Sequence, residues 1–201
     1  MVALRQALTP APEAHALSLY GALHENGETV VLLGPDGAGF WPRFTQTPEY
    51  QDGARDPLDR YSKRVISELA QSWGGEAVFP SDGPPYPPFM AWAMASGQAW
   101  QSPVGMLVHA RAGLWASYRG VVRLPALYAL PEPAQNPCET CAEKPCLTAC
   151  PVDALNASQV YDVPVCKAHI TKPEGADCVQ NGCLSRRACP VSQAFGRLPE
   201  Q

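Results

Sequence analysis

The chain has 201 residues, of which 46% are hydrophobic, and its 15 Lys and Arg against 19 Asp and Glu give a net charge of -4. This length suits one sizeable domain with a small appended module, so we expect two structural units. The acidic balance argues against a nucleic-acid partner, because nonspecific affinity for nucleic acid comes mostly from cations that attract phosphates.

The N-terminal segment MVALRQALTPAPEAH has one early arginine but no continuous apolar stretch, so it does not resemble a secretory signal. No apolar run approaches the roughly 18 residues that a membrane-spanning helix needs. We therefore expect a cytoplasmic protein with no membrane partner. Thiols stay reduced in the cytoplasm, where clustered cysteines bind metal more often than they form disulfides.

Helical and extended patterns alternate along the first part of the chain. Thr9 before Pro10 predicts the start of a helix whose apolar residues run to Gly27. Residues 29–33 predict a buried strand that leaves through the glycine turn GPDGAGFW at 34–41. Backbone N–H groups in such a turn approach ligands in other proteins, although reversal of the chain explains the glycines equally well.

Further helices and strands are predicted before residue 125. Asp56 before Pro57 is typical of a helix N-terminus, because Asp caps free N–H groups and Pro needs none. The predicted elements are, in chain order, a helix from Pro57 to Gly74, a strand at 76–79, a short helix at 88–95 and a hairpin at 104–124 that turns near Gly113. The alternation indicates an α/β or α+β unit around a central sheet.

Prolines cluster at 80–88 and 124–138, where their missing N–H groups disfavour regular structure. The second cluster indicates a linker, and the first cysteine of the chain stands at its end. We therefore place a domain boundary near residue 130. The expected fold is α+β, with a larger domain in residues 1–130 and a small cysteine module in residues 131–201.

The cysteines form two runs that each end in Cys-Pro, namely Cys138-x2-Cys141-x4-Cys146-x3-Cys150-Pro151 and Cys166 with Cys178-x4-Cys183-x5-Cys189-Pro190. Bacterial two-cluster ferredoxins use such runs to hold two 4Fe-4S clusters, and the last thiolate of each run, after a short helical turn, binds the other cluster. The crossed assignment gives cluster one Cys138, Cys141, Cys146 and Cys189, and it gives cluster two Cys150, Cys166, Cys178 and Cys183. Both runs are longer than the usual spacing.

Zinc, one cluster with a zinc ion, and disulfides are the alternative interpretations of these cysteines. Structural zinc sites prefer two CxxC-like knuckles, and only Cys138 and Cys141 have that spacing. His169 stands three residues after Cys166, but eight cysteines already complete two clusters. We therefore interpret His169 as a loop or packing histidine.

Polar and aromatic residues stand out on the predicted hairpin, where His109, Gly113, Trp115 and Arg119 share one short segment. Such an amphipathic surface suits a pocket for a large planar or anionic ligand. Alternatively, His109 is a core histidine and Arg119 an ion-pair partner. The chain has no GxSxG or HExxH motif, so we expect its larger domain to hold a redox cofactor or substrate, which the protein positions and supplies with electrons.

The segment GMLVHARAGLWASYRGVVRLP (105–125) resembles the hairpin of the cblC-type cobalamin-processing proteins, which contains Ile-His-Pro, Gly-Trp and Arg-Gly-Val-Val-Leu-Leu-Pro. The segments VVLLGPDGAGFWPRF (30–44) and ARDPLDRY (54–61) resemble that family's strand, its helix with a phenylalanine and its Asp-Pro-Val-Asp helix start. The resemblance implies a nitroreductase-like fold that binds a corrinoid and reductively removes its upper ligand. It places His109 near the corrinoid and makes Gly113, Trp115 and Arg119 residues of the pocket wall or its support.

The cysteine module is similar to that of epoxyqueuosine reductases and reductive dehalogenases, which join a corrinoid-binding domain of this fold to two 4Fe-4S clusters. The cblC-type proteins have no such module and use glutathione or an external flavin reductase, so built-in clusters would replace those reductants. The sequence has no match to the acid motif of epoxyqueuosine reductases, no tRNA-binding repeat and no export signal. These departures argue against tRNA modification and dehalogenation.

The leading hypothesis is an oxidoreductase, a corrinoid-binding iron-sulfur protein that reduces cobalamin, with or without decyanation or dealkylation. An external donor such as a flavodoxin or a flavin reductase would supply the electrons. A ferredoxin-type electron-transfer protein that docks on a partner enzyme is the second hypothesis. The third is a flavin-dependent reductase, because nitroreductase-like folds often hold FMN.

Overall fold

The computed structural model describes residues 3–158 and 161–201, which form two compact units. The first unit contains the described residues up to Gln98 together with Ser117–Pro133. The second unit contains Ala99–Ala116 and Ala134–Gln201. The predicted domains 1–130 and 131–201 differ from this division in two stretches, because 99–116 belong with the cysteine module and 131–133 belong with the first unit.

Both units are built from short helices and antiparallel strands. The strands are β1 Leu17–Glu25, β2 Glu28–Pro35, β3 Glu76–Val78, β4 Ala99–Gln101, β5 Leu107–His109 and β6 Gly120–Leu124. The α-helices are α1 Leu4–Ala7, α2 Gly37–Phe44, α3 Pro48–Gln51, α4 Pro57–Trp73, α5 Phe89–Ala95, α6 Pro137–Thr140, α7 Val163–Ile170, α8 Ala176–Gln180, α9 Leu184–Ala188 and α10 Pro190–Ala194. Three 3-10 helices cover Pro12–His15, Pro145–Leu147 and Pro173–Gly175. This content confirms a mixed α+β fold.

The first unit is organised around a four-stranded antiparallel sheet with the strand order β1-β2-β6-β3. Helix α4 covers it with a face of Tyr61, Val65, Ile66 and Leu69, all of which are buried in the unit's core. The predicted helix from Pro57 is confirmed, and it ends at Gly74, whose φ of 69° is favourable for glycine. The predicted strands at 29–33 and 76–79 and the short helix at 88–95 are confirmed as β2, β3 and α5.

The helix predicted from Thr9 to Gly27 is wrong, because Leu17–Glu25 forms β1 and only Pro12–His15 forms a short 3-10 helix. Asn26 and Gly27 have φ values of 52° and 81°, so they form a two-residue turn between the paired residues Glu25 and Glu28. Asn-Gly between two apolar runs is a strong hairpin signal, whereas the prediction took Gly27 for a helix stop. Pairing with β2 provides hydrogen-bond partners for the backbone N–H and C=O groups of β1. The segment is therefore a strand, although its apolar residues have helical spacing.

The hairpin predicted at 104–124 is also wrong, since its two halves belong to different sheets. Strand β5 pairs with β4 in the second unit, and β6 pairs with β2 and β3 in the first. The backbone N–H of Arg119 donates to Leu33 O at 2.8 Å, at the point where the chain joins the larger sheet. Hydrogen bonds to distant strands therefore replaced the local pairing that the sequence pattern suggested.

Gly34 lies where β2 passes the buried ring of Tyr20, whose hydroxyl donates to Pro35 O at 2.8 Å. A methyl group at Gly34 would stand 2.6 Å from Cδ2 of that ring. We expect Gly34→Ala to lower the free energy of unfolding by about 1–3 kcal/mol, because a buried aromatic ring cannot move without repacking its neighbours. Urea-induced unfolding followed by tryptophan fluorescence measures the change.

Gly39 provides the matched control, because it lies in α2 with no described atom within 4 Å of an added Cβ. We expect Gly39→Ala to be neutral or to stabilise the unit by up to about 1 kcal/mol, since Ala has the higher helix propensity. Equal destabilisation by both substitutions would contradict the packing argument.

The second unit combines the β4-β5 hairpin with the helices α6 to α10 and the 3-10 helices at 145–147 and 173–175. Its core contains Val104, Val108, Leu114 and Leu155 beside two buried cysteines, Cys146 and Cys189. A small apolar core thus surrounds sulfur atoms on several sides. Among the described residues of the whole chain, no helix is both long and apolar enough to cross a membrane.

Candidate metal centre

Four cysteines of the second unit line one cavity of about 240 Å³. Cys138 lies in α6, Cys141 directly follows it, Cys146 lies in the 3-10 helix at 145–147, and Cys189 joins α9 to α10. The cavity therefore brings together three thiols of the first run and the last thiol of the second. This is the set that the crossed assignment predicts for cluster one.

Local capping and proline geometry hold these cysteines in place. The side chain of Asn136 accepts a hydrogen bond from the Cys138 N–H at 3.0 Å, at the start of α6. Pro190 occupies the first position of α10, where a missing N–H is harmless, so the chain leaves Cys189 in a fixed direction. Short helical turns precede Cys150 and Cys189, namely the 3-10 helix at 145–147 and α9.

The thiols influence one another electrostatically. Burial raises the pKa of Cys138, and the neighbouring Cys146, Cys189 and Cys141 raise it further. Burial and the nearby Cys189 and Cys141 raise the pKa of Cys146 in the same way. Several thiolates in one partly buried site repel each other, and bound metal is what stabilises such a group of anions.

The composition of the cavity fits a 4Fe-4S cluster. Besides four thiols it is lined by apolar side chains such as Val108, Leu114 and Val191. All eight cysteines are free. In the described part of the chain, no three His, Cys, Asp or Glu side chains are grouped so as to hold a single metal ion. In a cubane cluster each thiolate binds a different iron atom, so four ligand thiolates enclose a volume. The four thiols here line a cavity of this kind.

Contacts also connect three of the four cysteines expected for cluster two, namely Cys166, Cys178 and Cys183. A hydrogen bond with Cys166 raises the pKa of Tyr161 to about 12, and burial and the thiols of Cys166 and Cys183 add to this increase. The Leu184 N–H donates to the sulfur of Cys178, which also interacts with Cys183. Cys150 packs against the apolar core of the unit. N–H groups that donate to sulfur are among the contacts that set cluster potentials.

Of the two histidines considered as ligand-binding candidates, His109 is buried and His169 is partly exposed. His109 is 3% exposed, and its Nδ1 accepts hydrogen bonds from the N–H groups of Arg111 and Ala112, both at 3.1 Å. These contacts are typical of a histidine that stabilises a turn, and its place beside a corrinoid stays a prediction. His169 lies on α7, and its buried Nε2 has no hydrogen-bond partner among the described residues.

Gly113 and Trp115 make close contacts within the second unit. Gly113 has a φ of 57°, and its Cα faces the start of α10, where an added Cβ would stand 2.6 Å from Ser192 Oγ. The Leu114 N–H donates to the same Oγ at 2.8 Å. The ring of Trp115 lies 4.3 Å from the guanidinium of Arg197 and 5.9 Å from that of Arg186. No local sequence signal predicted these pairs, because their members are more than seventy positions apart.

Arg119 belongs to the first unit, unlike the other three residues of the proposed corrinoid pocket. Its Nη1 lies 3.6 Å from Oδ1 of Asp59, and only 18% of its side chain is exposed. Burial lowers the pKa of Arg119, and the nearby Asp59 opposes this shift. The residue lines a cavity of about 280 Å³ that also includes Ser62 and Lys63. Asp59, Phe79 and Pro80 also line this cavity, which therefore combines charged, polar and apolar side chains.

No protein-family model matches the sequence, and a search of the curated proteins found no significant match.

Proposed function

We propose that this protein is a cytoplasmic iron-sulfur oxidoreductase that carries two 4Fe-4S clusters and passes electrons to a corrinoid. The observation that carries the proposal is the single cavity lined by Cys138, Cys141, Cys146 and Cys189. These four residues come from both Cys-Pro runs, which is the arrangement of two-cluster ferredoxins. In this proposal the second unit is ferredoxin-like and the first is nitroreductase-like.

The location of the segment that resembles the cobalamin-processing proteins supports the corrinoid as the electron acceptor. Residues 105–116 of this segment belong to the same unit as the cysteines. Val108 and Leu114, which stand on either side of His109 in the sequence, both line the four-cysteine cavity. A corrinoid held by this segment would therefore lie close to cluster one.

The clusters would supply one-electron transfer, and each electron from an external flavodoxin or flavin reductase would lower the cobalt oxidation state by one. The chain's own residues would hold and insulate this path. Cys138, Cys141, Cys146 and Cys189 would bind iron, while Val108 and Leu114 would exclude water from one side of the site. Exclusion of water strengthens the local electrostatic interactions that set a cluster potential.

The proposal is tested with anaerobically reconstituted protein that is reduced with dithionite and then freed of the reductant. We expect about eight irons per chain, a shifted visible spectrum when hydroxocobalamin is added, and up to about two cob(II)alamin formed per chain as the clusters are oxidised. Cys146→Ser is the matched variant. It should form less cob(II)alamin because it lacks cluster one, and it should still bind hydroxocobalamin.

Each alternative function gives a different result in the same experiment. Eight irons without any response to hydroxocobalamin would leave an electron-transfer protein that docks on a partner enzyme. A yellow component released by acid would indicate an FMN-dependent reductase. Fewer than about one iron per chain after reconstitution would contradict the cluster assignment itself.

A further inference from the structure

Ser102 lies in the turn between β4 and β5, and its backbone is held from both sides. Its N–H donates to Met106 O at 2.8 Å, and its carbonyl oxygen accepts from the Gly105 N–H at 2.9 Å. The residue is 5% exposed. The main chain therefore fixes the position of a buried hydroxyl group.

The Ser102 hydroxyl has no hydrogen-bond partner within residues 3–158 and 161–201. A buried hydroxyl without a partner is unfavourable, and native proteins keep few of them. Ser102 also lines the cavity that contains Cys138, Cys141, Cys146 and Cys189. Ser102 lines two neighbouring cavities as well, one of which also includes Cys138, and of the three only the four-cysteine cavity has a proposed occupant with acceptor atoms for this hydroxyl.

We propose that the Ser102 hydroxyl donates a hydrogen bond to a sulfur of the 4Fe-4S cluster held by these four cysteines and thereby raises the reduction potential of that cluster. This inference rests on the proposed function, since it requires cluster one. Reduction adds one electron to the cluster and forms or breaks no bond of the protein. An O–H donor stabilises the more negative, reduced form more strongly, and hydrogen bonds to sulfur are known determinants of cluster potentials.

Thr140 provides a matched control from the same cavity. Its hydroxyl already donates to Pro137 O at 3.3 Å, so it has a protein partner. Thr140→Val and Ser102→Ala each remove one hydroxyl group from the lining, but only the second removes a hydroxyl that has no partner among the described residues. Ser102→Thr keeps the hydroxyl and serves as the conservative variant.

The test is an anaerobic redox titration of each reconstituted variant, with the two clusters followed by electron paramagnetic resonance. We expect Ser102→Ala to lower one of the two midpoint potentials, so that the reduced fraction of that cluster falls about tenfold relative to the oxidised fraction at a fixed solution potential. This ratio corresponds to about 59 mV for a one-electron couple. The midpoint potential of the other cluster is an internal reference and should stay unchanged in Ser102→Ala. Both midpoint potentials should stay unchanged in Thr140→Val. Ser102→Thr should keep the midpoint potential of cluster one close to its wild-type value.

The outcomes separate this inference from the proposed function. If wild-type protein binds about eight irons and Ser102→Ala leaves both potentials unchanged, the hydrogen bond is contradicted while the clusters stand. An equal shift in Thr140→Val would also overturn it, because any change in the lining would then suffice. Wild-type protein without iron or a resonance signal would contradict the proposed function first.

Discussion

Replacing Cys189 by serine is expected to reduce the iron content from about eight to about four per chain, because in the proposed crossed arrangement it is the fourth ligand of cluster one. Cys189 stands eleven residues after Cys178 in the sequence, yet it shares its cavity with Cys138, Cys141 and Cys146. The loss should leave one intact cluster, which anaerobic iron and sulfide analysis and the visible spectrum would measure.

Pairs of substitutions distinguish the crossed arrangement from a sequential one. In the crossed arrangement Cys138 and Cys189 bind the same cluster, so the double serine variant should lose no more iron than either single variant. Cys183 and Cys189 bind different clusters, so their double variant should retain almost no iron. If each run instead bound its own cluster, these two double variants would exchange their results.

Stability should also fall when one of these ligands is replaced. Metal binding to a site that exists only in the folded chain adds its binding free energy to folding. Cys189 is one of two cysteines in the apolar core of the second unit, so its replacement leaves a polar hydroxyl at an 8% exposed position. We expect the second unit of Cys189→Ser to unfold at a lower urea concentration than in wild-type protein.

Replacing Gly113 by alanine is expected to lower the free energy of unfolding of the second unit by about 2–5 kcal/mol. A non-glycine residue at the φ of 57° costs about 1–2 kcal/mol. The added methyl group would also overlap the backbone nitrogen of Ser192 and crowd its Oγ, and such overpacking costs about 1–3 kcal/mol more. Anaerobic urea unfolding, followed by the loss of cluster absorbance and by fluorescence, measures the effect.

Gly105 is the matched control for this prediction, because its φ of 79° carries a similar backbone cost while no described atom lies within 4 Å of an added Cβ. Gly105→Ala should therefore destabilise the unit by only about 1–2 kcal/mol. Equal effects of the two substitutions would show that backbone strain alone is responsible. A larger loss of stability in Gly113→Ala, accompanied by loss of iron, would indicate that the contact between residue 113 and α10 stabilises the cysteine cavity.

The packing of Gly113 against α10 explains a glycine at this position without any ligand. The resemblance to cobalamin-processing proteins placed Gly113 with His109 and Trp115 in a corrinoid pocket. In the structure all three residues make interior or packing contacts of the second unit, through a turn, through α10 and through two arginines. Their part in corrinoid binding stays a prediction, which the hydroxocobalamin titration tests.

The sequence by itself determined the features that depend on neighbouring residues. Helix α4 follows from Pro57 at its first position and Gly74 beyond its last, and both act within one turn of the chain. The two Cys-Pro runs likewise predicted, by analogy with two-cluster ferredoxins, that Cys138, Cys141, Cys146 and Cys189 belong together, and these four thiols line one cavity. The α+β class followed from the alternation of such local patterns.

Only the tertiary structure decided the features in which distant residues compete with local preference. The segment 17–25 has helical spacing, but pairing with β2 makes it a strand, and 104–124 is divided because β6 finds its partners in β2 and β3. The cavity-lining position of Ser102 and the close approach of Gly113 to Ser192 are equally invisible to spacing. Buried backbone N–H and C=O groups need hydrogen-bond partners, and buried side chains need close packing. Distant segments provide both here, so they determine which strands pair and which residues line the cavity.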